Sequence, residues 1–337
     1  MTPITTRRYL ESLARSGQLS APGLEFALKR IGAFPNSAQW LRFADRLLLV
    51  AGTLLILAGV LYFFAFNWNE LHRFTKISLV VLLLFISASM MAYTGPARAE
   101  GKVWLGAGVV FIGLLLAVVG QIYQTGADTE SLFAGWALLA LPWVSISCAP
   151  WLWLFWLLLV NTAMALFLVG RIDILMVFFY SDAMFWGPLL FNALALSVWE
   201  FLWPRVDWMR VTYAPRFIVF LAAIAATGLG ASWWFLTRRV EWQLIHFAPI
   251  GYLIWLSVTI WHYGKRRQDI VPLALSALSC IAVLTAGLIS TLFGSRHFDV
   301  VSFFVIGVAV ATMTAAAAAW LRLTSSRWSK IREVRGA

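Results

Sequence analysis

The chain has 337 residues, of which 61% are hydrophobic and 12% charged, with a net charge of +11. A soluble domain carries about 25% charged residues, so water cannot be this chain's main solvent, and a water-soluble enzyme is excluded. The basic residues gather in alternate loops between apolar stretches, which is the charge pattern of a membrane protein and not of a nucleic-acid-binding surface.

The segment from Thr5 to Pro35 reads as a small helical hairpin. Tyr9, Leu10 and Leu13 share one face of its first helix, and Gly17 ends that helix. Ser20 is placed to cap a second helix with an apolar face of Leu24, Leu28 and Ile31 beside Phe26 and Ala27. A piece of this size buries too little surface to be stable alone, so it is expected to pack on the membrane domain or on a partner. It lacks the basic recognition face of a DNA-binding helix-turn-helix, and no nucleic acid is expected as a partner.

Ten apolar stretches follow, at about 47–66, 76–93, 103–123, 132–148, 152–169, 184–203, 217–237, 243–263, 270–292 and 300–321. About 18 or more apolar residues span the hydrocarbon core as a helix. The fold class is therefore all-α: a polytopic transmembrane bundle of about ten spans behind a short N-terminal cytosolic hairpin. The expected division is 1–46 for the cytosolic segment, 47–321 for the bundle and 322–337 for a basic cytosolic tail. The stretch from Leu47 lies behind a long charged segment with no small-residue cleavage site, so it reads as a retained span and not a signal peptide. Residues 172–183 are too short and too acid-flanked to cross, and read as an interfacial segment or an extension of the sixth span.

With the N-terminus in the cytoplasm, 20 of the 26 Lys and Arg fall on the cytoplasmic side and 6 on the other. Both termini are accordingly expected in the cytoplasm of a bacterial inner (plasma) membrane. The tail residues Arg322, Arg327, Lys330, Arg332 and Arg335 are expected to hold anionic lipid there, at about 1 kcal/mol per charge. Many of the 19 Trp flank the spans, among them Trp40, Trp151, Trp199, Trp320 and Trp328. They read as a belt at headgroup level. Small residues cluster at Gly106, Gly108 and Gly113 and from Ala311 to Ala319, which predicts close helix packing. Cys148 and Cys280 have no partner at metal-site spacing and read as packing residues.

Three places could carry chemistry. The most distinctive segment, GQIYQTGADTESLFAGWALLALPW at 120–143, offers Gln121, Tyr123, Gln124, Asp128 and Trp136. The loop after the first span, FNWNELHRF, offers Asn67, Trp68, Asn69 and Glu70 on the same side of the membrane. These residues form a candidate polar site, with Gln121 expected to turn inward because an unpaired amide in lipid is costly. Loop capping is the competing reading. Second, Asn161 and Asn192 both count to mid-depth on consecutive spans, and should either clamp the helices or touch a substrate. Third, Glu200 lies near a cytoplasmic span end, where snorkelling toward Arg205 accounts for it. His72, Asp128, Glu130, His297 and Asp299 match no compact ligand spacing, so no metal and no other cofactor is expected. There is no nucleophile elbow, P-loop, HExxH or useful carboxylate pair, so an enzyme is the less favoured reading.

The AFNW segment (65–68) and the GQIYQTGAD…LFAGWALLALPW segment, behind a hairpin of the type SGQLSAPGLEFAL, resemble the bacterial membrane family catalogued as domain of unknown function 2157. The resemblance covers about residues 5–145 and brings no activity with it. It implies an assembly, because members are encoded beside a second polytopic membrane protein and a small protein with a GDYxxLxY motif. The expected function is a non-enzymatic component of an inner-membrane or envelope assembly. The alternative is a transporter or lipid-handling permease with a polar site at the outer ends of spans one, three and four. A polar cavity at the midplane would favour the transporter; a filled core with an exposed small-residue face would favour the assembly component.

Overall fold

Lipid offers no partner to a backbone N–H or C=O, so an apolar stretch that crosses a bilayer satisfies them within its own helix. The computed structural model describes residues 3–31, 37–66, 72–123, 128–169, 183–236, 247–294 and 300–336, and all the long elements among them are helices. The chain divides into two units, Met1–His72 and Arg73–Ala337.

The first unit holds α1 (Pro3–Arg15), α2 (Ala21–Arg30) and α3 (Ser37–Phe66). Gly17 turns the chain after α1 with φ of 75°, a left-handed value that a Cβ would strain. The Ser20 side chain accepts the Gly23 N–H at 3.3 Å and caps α2. Leu28 is buried between α1 and α2. Arg7 with Glu11, and Lys29 with Glu25, pair one turn apart on the wet faces. α3 begins ten residues before the apolar stretch at Leu47, so Arg42, Asp45 and Arg46 lie within the same helix.

The second unit holds α4 (Arg73–Thr94), α5 (Ala99–Tyr123), α6 (Thr129–Ser147), α7 (Pro150–Val169), α8 (Ala183–Leu202), α9 (Tyr213–Leu236), α10 (Ala248–Trp261), α11 (Ile270–Gly294) and α12 (Val300–Gly336). Among the described residues nine helices are long and apolar enough to cross a membrane: α3 to α9, α11 and α12. The tenth expected span, 243–263, corresponds to α10, of which 14 α-helical residues are described before a π-helical turn, His262–Arg266. Residues 172–182 lie outside the described residues, and Ala183 opens α8.

Successive helices from α4 to α9 pack against one another, and α9 also meets α7, α10 and α11. α9 is the inner helix of this unit: 56% of its apolar window is buried, against 6% for α12. Its Thr227 hydroxyl bonds Ser279 of α11 at 2.7 Å, and the Tyr252 hydroxyl of α10 lies 3.3 Å from the same Ser279 oxygen. The α6–α7 turn is closed by Cys148 at φ of 44°, with the Lys102 ammonium 3.5 Å from its carbonyl. Cys148 is thus an exposed turn residue, where packing was expected.

Tryptophan does more than line the membrane surface. The rings of Trp151, Trp143 and Trp136 lie over Gly106, Gly108 and Gly113 of α5, each so close that an added Cβ would fall inside 3.0 Å. The same fit recurs where Phe185 covers Gly228, Trp186 covers Gly251 and Trp234 covers Gly287. The glycines open slots, and large flat rings fill them with dispersion contact. Trp199 and Trp328, expected in the belt, are buried, and the Trp328 indole donates to the Gly264 carbonyl at 3.1 Å. Trp40 is 58% exposed.

Candidate functional site

The expected polar site divides between described and undescribed residues. Asn67, Trp68, Asn69, Glu70 and Gln124 lie outside the described residues, and with them the approach of the two segments. Gln121 and Tyr123 sit in the last turn of α5, both exposed, so Gln121 does not turn into the packed interior as expected. The last turn of a helix reaches headgroup level, where water can satisfy the amide. Asp128 holds the position before α6; its side chain makes no cap bond, and its carbonyl accepts the Ser131 hydroxyl at 2.6 Å. Trp136 faces α5, with its indole N–H donating to the Val109 carbonyl at 2.7 Å and its ring edge-on to Phe155. That bond uses the ring's single donor. Trp156 of α7 repeats the device on α6, donating to the Ala137 carbonyl at 2.8 Å.

Asn161 of α7 and Asn192 of α8 are brought together. The Asn192 amide donates to Asn161 Oδ1 at 2.6 Å, and the Asn161 amide donates to Asn192 Oδ1 at 3.2 Å. Each also donates to the carbonyl one turn earlier, Leu157 and Pro188, at 2.8 Å. All four amide hydrogens' worth of donor capacity is thereby directed within the pair and its own helices, and Asn192 is fully buried. This is the geometry of a clamp. Asn161→Leu should therefore lower thermal stability in detergent by about 1–2 kcal/mol, because it strands the Asn192 amide. Asn161→Leu/Asn192→Leu should recover part of that loss. Equal losses in the single and double variants would show that the pair is not coupled.

The richest charge constellation was not legible in the sequence. Glu200, near the end of α8, accepts from Arg267 Nε at 2.8 Å and from Arg267 Nη2 on Oε2, and from the Tyr263 hydroxyl at 3.0 Å on Oε1. His262 Nε2 stands 3.4 Å from Oε2. The Arg267 guanidinium also lies 3.8 Å from the centroid of the Trp203 ring, a cation–π stack. Beside it Arg216 of α9 pairs with Asp269 at 2.8 Å, and the other Asp269 oxygen accepts the Val271 N–H to start α11. Arg205, the partner expected for Glu200, instead donates to the Phe201 carbonyl and covers the Phe201 ring at 4.0 Å. The reason is backbone shape. The π-helical turn and Gln268 at φ of 50° carry Arg267 back over α8, whereas Arg205 follows the end of α8 outward. Nothing in the sequence ranks Arg267 above Arg205. With both carboxylate oxygens occupied, the cluster neutralises a charge and ties α8, α9 and α11 at one end of the bundle.

No group of three or more His, Cys, Asp or Glu among the described residues is placed to share a metal ion. Of the five residues weighed for one, His297 and Asp299 lie outside the described residues.

Residues 11–153 match the model of a family described as "Predicted membrane protein (DUF2157)". The match runs from the second half of α1 to the start of α7, and includes the AFNW and GQIYQTGAD segments that carry the resemblance. It ends before the Asn161–Asn192 clamp and the Glu200 cluster. No curated protein and no solved structure matches the chain.

Proposed function

We propose that this membrane protein is a non-enzymatic component of a bacterial inner-membrane or envelope assembly, with α12 as the helix that meets a second polytopic membrane protein. One observation carries the reading. Gly307, Ala311, Ala315 and Ala319 recur every fourth residue on α12, all exposed, and a Cβ at Gly307 would meet open space. In lipid such a small-residue face draws a second helix into close contact. Gly106, Gly108, Gly113, Gly228, Gly251 and Gly287 are each covered by a ring of the same chain; this stripe is left uncovered. The Asn161–Asn192 and Thr227–Ser279 pairs also spend their bonds inside the bundle, which favours a scaffold over a transport path. Both termini belong in the cytoplasm on this reading, supported by the charge asymmetry of the loops, and the basic end of α12 rests on anionic lipid.

The test is site-specific photo-crosslinking in native membranes. A photoreactive residue at Ala311 or Ala315 should give one discrete protein adduct. The same residue at Leu284 on α11, also exposed, should label lipid. Ala315→Leu should remove the adduct made from Ala311 while the chain stays inserted at normal abundance. Lipid labelling alone from all three positions would reject the reading.

A further inference from the structure

An apolar groove of about 760 Å³ runs between α6, α7 and α8. Its walls are Leu138 and Leu141 of α6, Trp156, Ala163 and Phe167 of α7, and Pro188 of α8. Leu138 is 70% exposed and Phe167 42% exposed, so the groove opens outward toward lipid. Its floor offers no donor, because the Trp156 N–H is spent on the Ala137 carbonyl. The Asn161–Asn192 clamp joins α7 to α8 beside it and fixes its width.

Length and volume decide what fits. Along α6 the lining runs from Glu130 to Leu141, and along α7 from Trp156 to Leu168. At about 1.5 Å per residue these are about 16–18 Å, close to half of the roughly 30 Å hydrocarbon thickness. The groove therefore covers one leaflet, from headgroup level at the start of α6 to the midplane. A helix about 10 Å across with a pitch of about 5.4 Å fills roughly 420 Å³ per turn. The groove would hold fewer than two turns, too little for a partner helix to seat. A single extended acyl chain has the right length and the right polarity.

The mouth gives the other end of the ligand. Among the described residues Glu130 is the one ionisable group lining the groove, and no described Lys or Arg lines it. Ser131, beside it, has its hydroxyl turned to the Asp128 carbonyl. A carboxylate at headgroup level complements an ammonium. We infer that this groove is a binding site for one phospholipid of that leaflet, an acyl chain lying along α6–α8 and a primary-amine headgroup against Glu130. The inference stands apart from the assembly reading, which rests on α12.

The full chain should be purified in mild detergent and offered equal amounts of two diacyl phospholipids with the same chains, one with an ethanolamine and one with a glycerol headgroup. Native mass spectrometry should show one lipid retained after the rest are stripped, with ethanolamine favoured several-fold. Ala134→Trp and Ala163→Trp, which fill the groove from α6 and α7, should abolish retention, and Leu284→Trp on α11 should not. Ala134 is exposed, so that variant keeps the test open if Ala163→Trp fails to fold. Glu130→Gln should retain a lipid and lose the headgroup preference. Retention unchanged in both groove variants, or no lipid held beyond the annular background, overturns the site; a preference that survives Glu130→Gln overturns the headgroup assignment.

Discussion

Gly108→Ala/Gly113→Ala should lower the unfolding free energy in detergent by about 1–4 kcal/mol, whereas Gly135→Ala should leave it unchanged or raise it. All three positions are helical glycines in the same helix pair, and an α-helix gains up to about 1 kcal/mol from each Gly→Ala change. The difference lies in what covers them. A Cβ at Gly108 or Gly113 would fall inside 3.0 Å of Trp143 or Trp136, and several ring atoms crowd each site. Neither ring is the free end of a flexible chain. Trp136 is held by its bond to the Val109 carbonyl and by Phe155, so relief requires α5 and α6 to separate. Overpacking of this kind costs about 1–3 kcal/mol per site, more than the propensity gain. At Gly135 the nearest atom is Leu116 Cδ1 at 3.8 Å, an ordinary contact. Thermal unfolding followed by intrinsic tryptophan fluorescence measures all of these. Equal behaviour of the Gly113 and Gly135 variants would mean that the rings do not hold the helices together.

Arg267→Met should cost about 3 kcal/mol and should do so at one end of the bundle. Removing one member of a buried ion pair strands the other, with typical losses of about 3–5 kcal/mol. The lower end applies here, since the Glu200 and Arg267 side chains keep 13% and 24% of their surface exposed. Glu200→Met/Arg267→Met should be markedly more stable than Arg267→Met, because no charge is left unpaired. Arg267→Lys should not restore stability, because an ammonium cannot place two donors on Oε2 and also stack flat over Trp203. Arg205→Ala should be nearly silent, since Arg205 bonds only its own helix and an exposed ring. Hydrogen exchange would place the loosening at the α8 end and the π-helical turn. A double variant no better than the single one would show that the pair is not what secures this end.

The two results separate two kinds of helix contact in this protein. The α5–α6–α7 contacts rest mainly on shape, with rings in glycine slots beside the interhelical bonds of Trp136, Trp156 and Lys102. The contacts around α9 add polar links at two depths: the Thr227–Ser279 bond inside, and the Glu200 and Asp269 ion pairs at the end. The family match covers the α5–α6 part of the first kind and stops short of the second.

The sequence by itself determined that the chain is an all-helical membrane protein and where its helices fall. Those properties follow from one-dimensional quantities: the length of an apolar run against the thickness of a bilayer, and the spacing of charges between runs. It also located the Gly17 turn and the Ser20 cap, which depend on residues a few positions apart. Asn161 and Asn192 could be matched in depth by counting residues, and the helices carry them into contact. Tertiary structure alone decided which glycine meets which ring, that Glu200 pairs with Arg267 and not Arg205, and that Gln121 stays exposed. Each depends on helix rotation and on the path of a turn, and a lipid-facing helix that is apolar all round carries no hydrophobic stripe to fix its rotation. Only side-chain shape and the few polar bonds set that angle, and both act between residues far apart in the chain.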